Sequence, residues 1–171
     1  MPAGRRLIYR SNVEKYSEYV FEGIDPGFSL KCKKEKDAGR AAFIVARESY
    51  GQGSSREHAA LCPMFLGVKA VLARSIERIH FANLINFGIL PLTLASLEDY
   101  RALSAGDELE MPRLGEELGT GKITVKNITS GREFTVNAVW TPRQTAILQA
   151  GGLLNYTVKE GGAMKEVPHA Q

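Results

Sequence analysis

Cysteine is scarce: Cys32 and Cys62 are the only two, far apart and in no C-x-x-C arrangement. That argues against a disulfide framework and against a zinc or iron–sulfur centre held by this chain. Two free thiols instead fit a reducing, cytoplasmic compartment. No apolar run approaches the ~18 residues needed to span a bilayer. The opening Met1-Pro2-Ala3-Gly4-Arg5-Arg6 has no apolar signal-peptide core, so export is not expected. Histidine is also sparse, and His58, His80 and His169 stand at no metal-ligand spacing to one another or to the cysteines. Internal repeats are absent.

What is present describes one ordinary soluble domain. The chain has 171 residues, 44% apolar and 24% charged, enough for a real core. The net charge of +3 is mild, and much of the excess sits in Arg5, Arg6, Arg10 and the run Lys31–Lys36. A nucleic-acid binder can look like this, but a solvated basic loop is the simpler reading.

Periodicity divides the chain without cutting it into two domains. Residues 1–24 form an N-terminal segment in which Val13 to Val20 suits a short helix or irregular packing. Residues 25–40 read as a mobile surface loop with turn signals at each end. A core over 41–158 begins with Ala41–Arg47, a short apolar run typical of a buried strand. Leu61, Met64 and Phe65 follow at helical spacing, interrupted by Pro63, which predicts a broken helix. Val68–Ala73 is the next strand. Ser75 is the expected cap of a helix with Ile76, Ile79, Leu84 and Phe87 as its apolar stripe, closed by Gly88. Ile89–Leu94 is a third strand, and Ser96 to Asp99 opens a short helix. This alternation predicts parallel pairing with crossovers. The C-terminal part changes character: Asp107–Met111 as a strand, then a hairpin of Lys122–Asn127 and Glu133–Val139 about Thr129 to Arg132, then a helix with Pro142 at its first position. A polar, frayed tail is expected over 159–171.

The chemistry concentrates in Gly51-Gln52-Gly53-Ser54-Ser55-Arg56-Glu57-His58-Ala59-Ala60-Leu61. Two glycines permit a tight turn where backbone amides approach a ligand closely. Hydroxyls and a guanidinium follow where a helix should start, which suits a carboxylate or phosphate. The competing reading is a capping box, Ser54 three residues before Glu57. A cap needs neither the second serine nor the glycine pair, and Arg56 in a first helical turn opposes the helix dipole unless an anion completes the site. Ser54 and His58 on one helix make a poor nucleophile–base pair. The Gly-x-Gly lacks the third glycine of a dinucleotide fingerprint, with Arg56 in its place. His80, beside an apolar stripe, reads as a hydrogen-bonded structural histidine.

The run Tyr50 to Leu61 resembles the signature of the aconitase family's C-terminal swivel domain. Ile79-His80-x-x-Asn83-Leu84-x-x-Phe87-Gly88-Ile89-Leu90-Pro91-Leu92 is similar to the continuation of that pattern. Ala3-Gly4 followed by Arg10 is similar to its upstream segment, and Ala150 to Asn155 fits the domain's end. The resemblance covers nearly the whole chain. It implies an α/β fold, a swivelling β/β/α domain with strand–helix alternation followed by a hairpin-containing C-terminal part. It implies a hydro-lyase interconverting citrate and isocitrate through cis-aconitate. Ser54 is then the catalytic base, with Ser55 and Arg56 binding substrate and Arg10 a second carboxylate ligand. The family's [4Fe–4S] cluster is ligated outside this chain, by other domains or by a large subunit, and the chain alone is expected to be inactive. The opening residues suggest a piece of a longer polypeptide.

Two alternatives stand beside this one. The chain can be the small subunit of an isopropylmalate isomerase or homoaconitase, which share Gly-Ser-Ser-Arg-Glu-His. The residues after that motif look more like aconitase. An RNA-binding module is the other alternative, resting on the Lys31–Lys36 run without any aromatic stacking platform. No membrane association is expected.

Overall fold

A computed structural model describes residues 4–53 and 56–164, with side chains as far as Glu160. After a 3-10 turn at Gly4–Tyr9 the chain forms α1 (Val13–Ser17), α2 (Phe28–Asp37), β1 (Ala42–Ala46), α3 (His58–Phe65), β2 (Val68–Ala73), α4 (Arg78–Asn86) and β3 (Leu90–Leu94). The second half adds α5 (Leu97–Arg101), β4 (Leu109–Glu110), α6 (Leu114–Glu117), the hairpin β5 (Gly121–Asn127) and β6 (Glu133–Ala138), α7 (Pro142–Gln149) and α8 (Leu153–Met164). One mixed sheet runs in the order β1-β2-β3-β6-β5-β4. Its first three strands are parallel, and β6, β5 and β4 continue it antiparallel.

Strand β2 explains why this order is stable. Its residues alternate between two cores, as the period of a strand requires. Val71 and Ala73 face Tyr16, Ala60, Cys62 and Leu84 on the helical side. Ala70 and Leu72 face Leu92, Leu94, Ile123, Val125 and Val136 on the other. A strand buried on both faces is written as a continuous apolar run, and Ala70–Ala73, after the exposed Lys69, is one. The hairpin, by contrast, alternates buried and exposed residues.

Four sequence expectations are corrected. Residues 25–40 are not a loop, because α2 occupies most of them. Lysine and glutamate are good helix formers, Ser29 and Cys32 turn inward, and Lys36 Nζ donates to the Phe65 carbonyl at 2.6 Å. Ser75 caps no helix: α4 begins at Arg78, Ile79 is 53% exposed, and His80, Leu84 and Ile85 are buried instead. Pro63 lies inside an unbroken α3 that runs to Phe65. The expected frayed tail is helical through Met164, and residues 165–171 lie outside the described ones.

Close backbone contact docks α4. A Cβ at Gly88 would lie 2.5 Å from the Gly151 carbonyl oxygen, and one at Gly152 would lie 2.8 Å from that of Asn86. Ile85 packs with Ile147 and Leu148 beside this contact. The fold prediction concerns the other core: Leu92→Ala should destabilise by about 2–5 kcal/mol. Urea unfolding should then show a lower midpoint at unchanged slope.

Candidate active site

The glycine turn leaves the carboxyl end of β1 and is strapped to the segment leaving β2. Arg74 N–H donates to the Arg47 carbonyl at 2.6 Å, and Tyr50 N–H to the Ser75 carbonyl at 3.0 Å. Glu77 N–H returns to the Tyr50 carbonyl at 2.9 Å, and Ser49 N–H donates to Ser75 Oγ at 2.8 Å. Ser75 is therefore spent on the turn rather than on α4. The strap is needed because Ser49, Gly51 and Gly53 all have left-handed backbone, at φ 51°, 89° and 71°. For Ser49 that costs about 1–2 kcal/mol. Strain of this kind collects where geometry is functional. The position is also the usual one for ligands in α/β sheets, beyond the carboxyl ends of parallel strands.

The first residues of α3 face the N-terminal segment. His58 Nε2 donates to the Arg10 carbonyl at 2.9 Å, and the His58 ring meets Tyr16 edge-on at 5.5 Å. Arg10 is held from its other side as well. Arg6 pairs with Glu22 and lies 4.0 Å over the Tyr19 ring, which stacks on Tyr9 at 5.4 Å. Asn12 caps α1, its side chain accepting from Lys15 N–H at 3.0 Å. His58 thus brings the Arg10 backbone beside the entry to α3, two residues from Arg56. Both arginines are exposed, and among the described residues neither guanidinium meets a carboxylate. Arg74 adds a cation at the same sheet end, its Nη1 donating to the Ala95 carbonyl at 3.0 Å.

The predicted site residues divide accordingly. His58 bonds the backbone carbonyl of Arg10 two residues from Arg56, and both arginine side chains are exposed. Ser54 and Ser55 lie outside the described residues. The capping-box reading rests on Ser54 and so lies outside the described residues; α3 itself starts at His58 with Glu57 in the capping position and no side-chain cap bond of its own. Arg56 precedes the helix, its carbonyl accepting from Ala59 N–H at 3.1 Å, so it does not sit in the first helical turn.

Neither cysteine suits an iron–sulfur cluster. Cys32 is 4% exposed and Cys62 fully buried in the helical core, and burial pushes the Cys32 thiol up to about 11 and raises that of Cys62. Among the described residues no three potential ligands are grouped for a metal ion. A broad groove of about 1910 Å³ opens elsewhere, between β1 and the 103–111 segment, and neither Arg10 nor Arg56 lines it. The lysine run belongs to α2, with Lys31 Nζ paired to Asp25 at 2.8 Å and Lys36 bound to Phe65. That leaves the RNA-binding alternative with little of its support. No helix among the described residues is long and apolar enough to cross a membrane.

Sequence reasoning missed two histidines. His58 was visible only as part of the motif, and nothing in its spacing pointed to Arg10. His80 is 1% exposed, yet among the described residues neither ring nitrogen has a hydrogen-bond partner, contrary to the hydrogen-bonded role expected. Burial lowers its pKa, keeping the ring neutral. An unpaired buried polar group costs about 1–3 kcal/mol.

Comparison with known proteins gives the family and the fold. The family profile described as the aconitase C-terminal domain matches residues 3–97. Over 158 residues the chain is 39% identical to 3-isopropylmalate dehydratase small subunit 2 of Archaeoglobus fulgidus, covering 92% of this chain and 85% of that protein. It is 41% identical over 150 residues to the mitochondrial homocitrate dehydratase of Saccharomyces cerevisiae, 81% of this chain but only 18% of that protein's length. The crystal structure of a 3-isopropylmalate dehydratase from Methanocaldococcus jannaschii superposes with a TM-score of 0.74 at 29% identity, covering 92% of this chain and 83% of that one. The expected swivel-type α/β fold is the one observed.

The His58 tether is directly testable. His58→Ala should leave the core folded, lower stability by about 0.5–1.5 kcal/mol, and speed tryptic cleavage after Arg10. Limited proteolysis followed by mass spectrometry reads that cleavage, and unchanged kinetics would show that the tether does not hold the segment.

Proposed function

The chain belongs to the aconitase C-terminal domain family, and from that premise we propose that it is the small-subunit-type swivel unit of a hydro-lyase. The reaction removes and re-adds water on a hydroxy dicarboxylate of the 3-isopropylmalate kind. What supports this reading is that His58, two residues after Arg56, bonds the Arg10 backbone carbonyl beside the strapped glycine turn, and that both arginine side chains are exposed. A dicarboxylate needs charge-assisted, bidentate partners, and arginine offers them where lysine does not.

In this reading Ser54 takes the proton from the carbon beside a substrate carboxylate. A serine hydroxyl is a poor base at neutral pH, so its alkoxide needs preorganised donors around it. Backbone amides at the start of α3 and the Arg56 guanidinium are the candidates, in a cleft that a partner closes to water. Ser55 and Arg56 bind the carboxylate at the reacting carbon, and Arg10 binds a second one. The family's [4Fe–4S] cluster belongs on a partner in this reading, since the two buried thiols here are unsuited to hold it.

Coverage favours the small-subunit reading over the aconitase-domain reading expected from the residues after the motif. The chain spans 85% of the archaeal small subunit but 18% of the yeast enzyme. The motif and its continuation evidently do not separate the two. A second reading, the swivel domain of a citrate or homocitrate hydro-lyase, keeps the support of the 41% identity to the yeast protein and of the matching profile.

Reconstitution with a cluster-bearing large subunit decides between them. The expected result is turnover of 3-isopropylmalate by the complex and by neither part alone. Citrate turnover without 3-isopropylmalate turnover would select the second reading, and turnover of neither would overturn both. Within the active complex, Ser54→Ala should lower kcat about 10²–10⁴-fold with the fold intact. Arg56→Lys should lower kcat/KM about 10–100-fold through loss of one charge-assisted contact.

A further inference from the structure

We propose that His80 is a positioning residue, the seat on which the Gly51–Gly53 turn is set, and that one of its two unpaired ring nitrogens is kept for a hydrogen bond to that turn when substrate binds. The proposal rests on the hydro-lyase reading for its last step but not for the seat itself.

Three observations converge on this residue. Contact comes first: a Cβ at Gly51 would lie 2.4 Å from His80 Cβ and Cγ and 2.5 Å from Cδ2, so the bare glycine backbone lies directly against the imidazole. Tyr50, the residue before, meets the same ring edge-on at 5.1 Å. The turn that leads into Ser54 therefore touches His80 with two consecutive residues. The second observation is polarity. The ring is 1% exposed and both its nitrogens lack partners among the described residues, an arrangement native interiors rarely keep without a use. A leucine would fill this place at less cost if packing were all that was required.

Rigidity is the third. His80 sits on α4, which the glycine contacts at 88, 151 and 152 and the Ile85–Ile147–Leu148 cluster hold against α7. A seat on a docked helix can fix a strained turn where a loop residue cannot. The turn's own backbone bonds fix residues 47–50 to 74–77, but of residues 51–53 only Gln52 N–H has a backbone acceptor among the described residues, the Ser49 carbonyl at 3.1 Å. Beyond Tyr50 the chain rests on the imidazole.

The test compares His80→Leu with His80→Gln in the full chain. His80→Leu removes the unpaired polar group and should raise Tm by about 2–4 °C. It should also speed amide hydrogen exchange at residues 49–53 at least fivefold, with β2 and β3 amides unchanged. In the reconstituted complex kcat should fall tenfold or more with KM within threefold, and His80→Gln should keep kcat within threefold of the parent. Unchanged exchange at 49–53 would overturn the seat, as would a His80→Leu chain that is less stable than the parent or fails to fold. Faster exchange with unchanged kcat would overturn the hydrogen-bonding role. Exchange and Tm need no substrate, so they decide the seat even if the complex turns over neither hydroxy acid.

Discussion

A turn with three left-handed residues in five does not hold itself, and the strap between residues 47–50 and 74–77 is the constraint on which the site depends. Its bonds are main-chain bonds apart from that to Ser75 Oγ, so they follow from the parallel register of β1 and β2. That register is itself set by burial. A one-residue slip of β2 would exchange Val71 and Ala73 with Ala70 and Leu72, putting each set into the wrong core. Two apolar cores thus decide where a polar turn sits.

Support reaches the turn along two further routes. One passes through α4, whose docking at its far end by glycine contacts leaves His80 fixed beneath Gly51. The other passes through α1 and α3, which pack together around Tyr16 and carry Arg10 to the His58 ring. The strained Ser49 and the unpaired His80 each cost stability that the cores offset, as expected where function and stability compete.

The site so assembled is cationic and incomplete. Arg10 and Arg56 are exposed with no carboxylate against either among the described residues, Arg74 follows the end of β2, and the cysteines are sealed in the core. Among the described residues no group of potential metal ligands stands with these arginines. A partner holding an electrophile would also exclude water, which strengthens every charged contact in the cleft. Small-subunit relatives matched along most of their length fit that division of labour.

Much of this was legible in the sequence. Strands β1 to β3, the β5–β6 hairpin and the caps at Ser96 and Thr141–Pro142 are written in local periodicity and turn chemistry, which need no distant partner. The glycine turn was legible for the same reason, since left-handed backbone demands glycine at Gly51 and Gly53. What the sequence could not say is what Ser75, His58 and His80 do. Ser75 has the makings of a helix cap, and only the neighbouring strand's exit makes it an acceptor for Ser49. The lysine run has the composition of a loop, and only the inward side of Ser29 and Cys32 makes it α2. Local signals determined the elements and the anion-friendly motif. Tertiary structure decided which backbone groups the turn would bond, that His58 would bond the Arg10 carbonyl, and that a buried histidine would lie beneath the glycine, because those contacts join residues far apart in the chain.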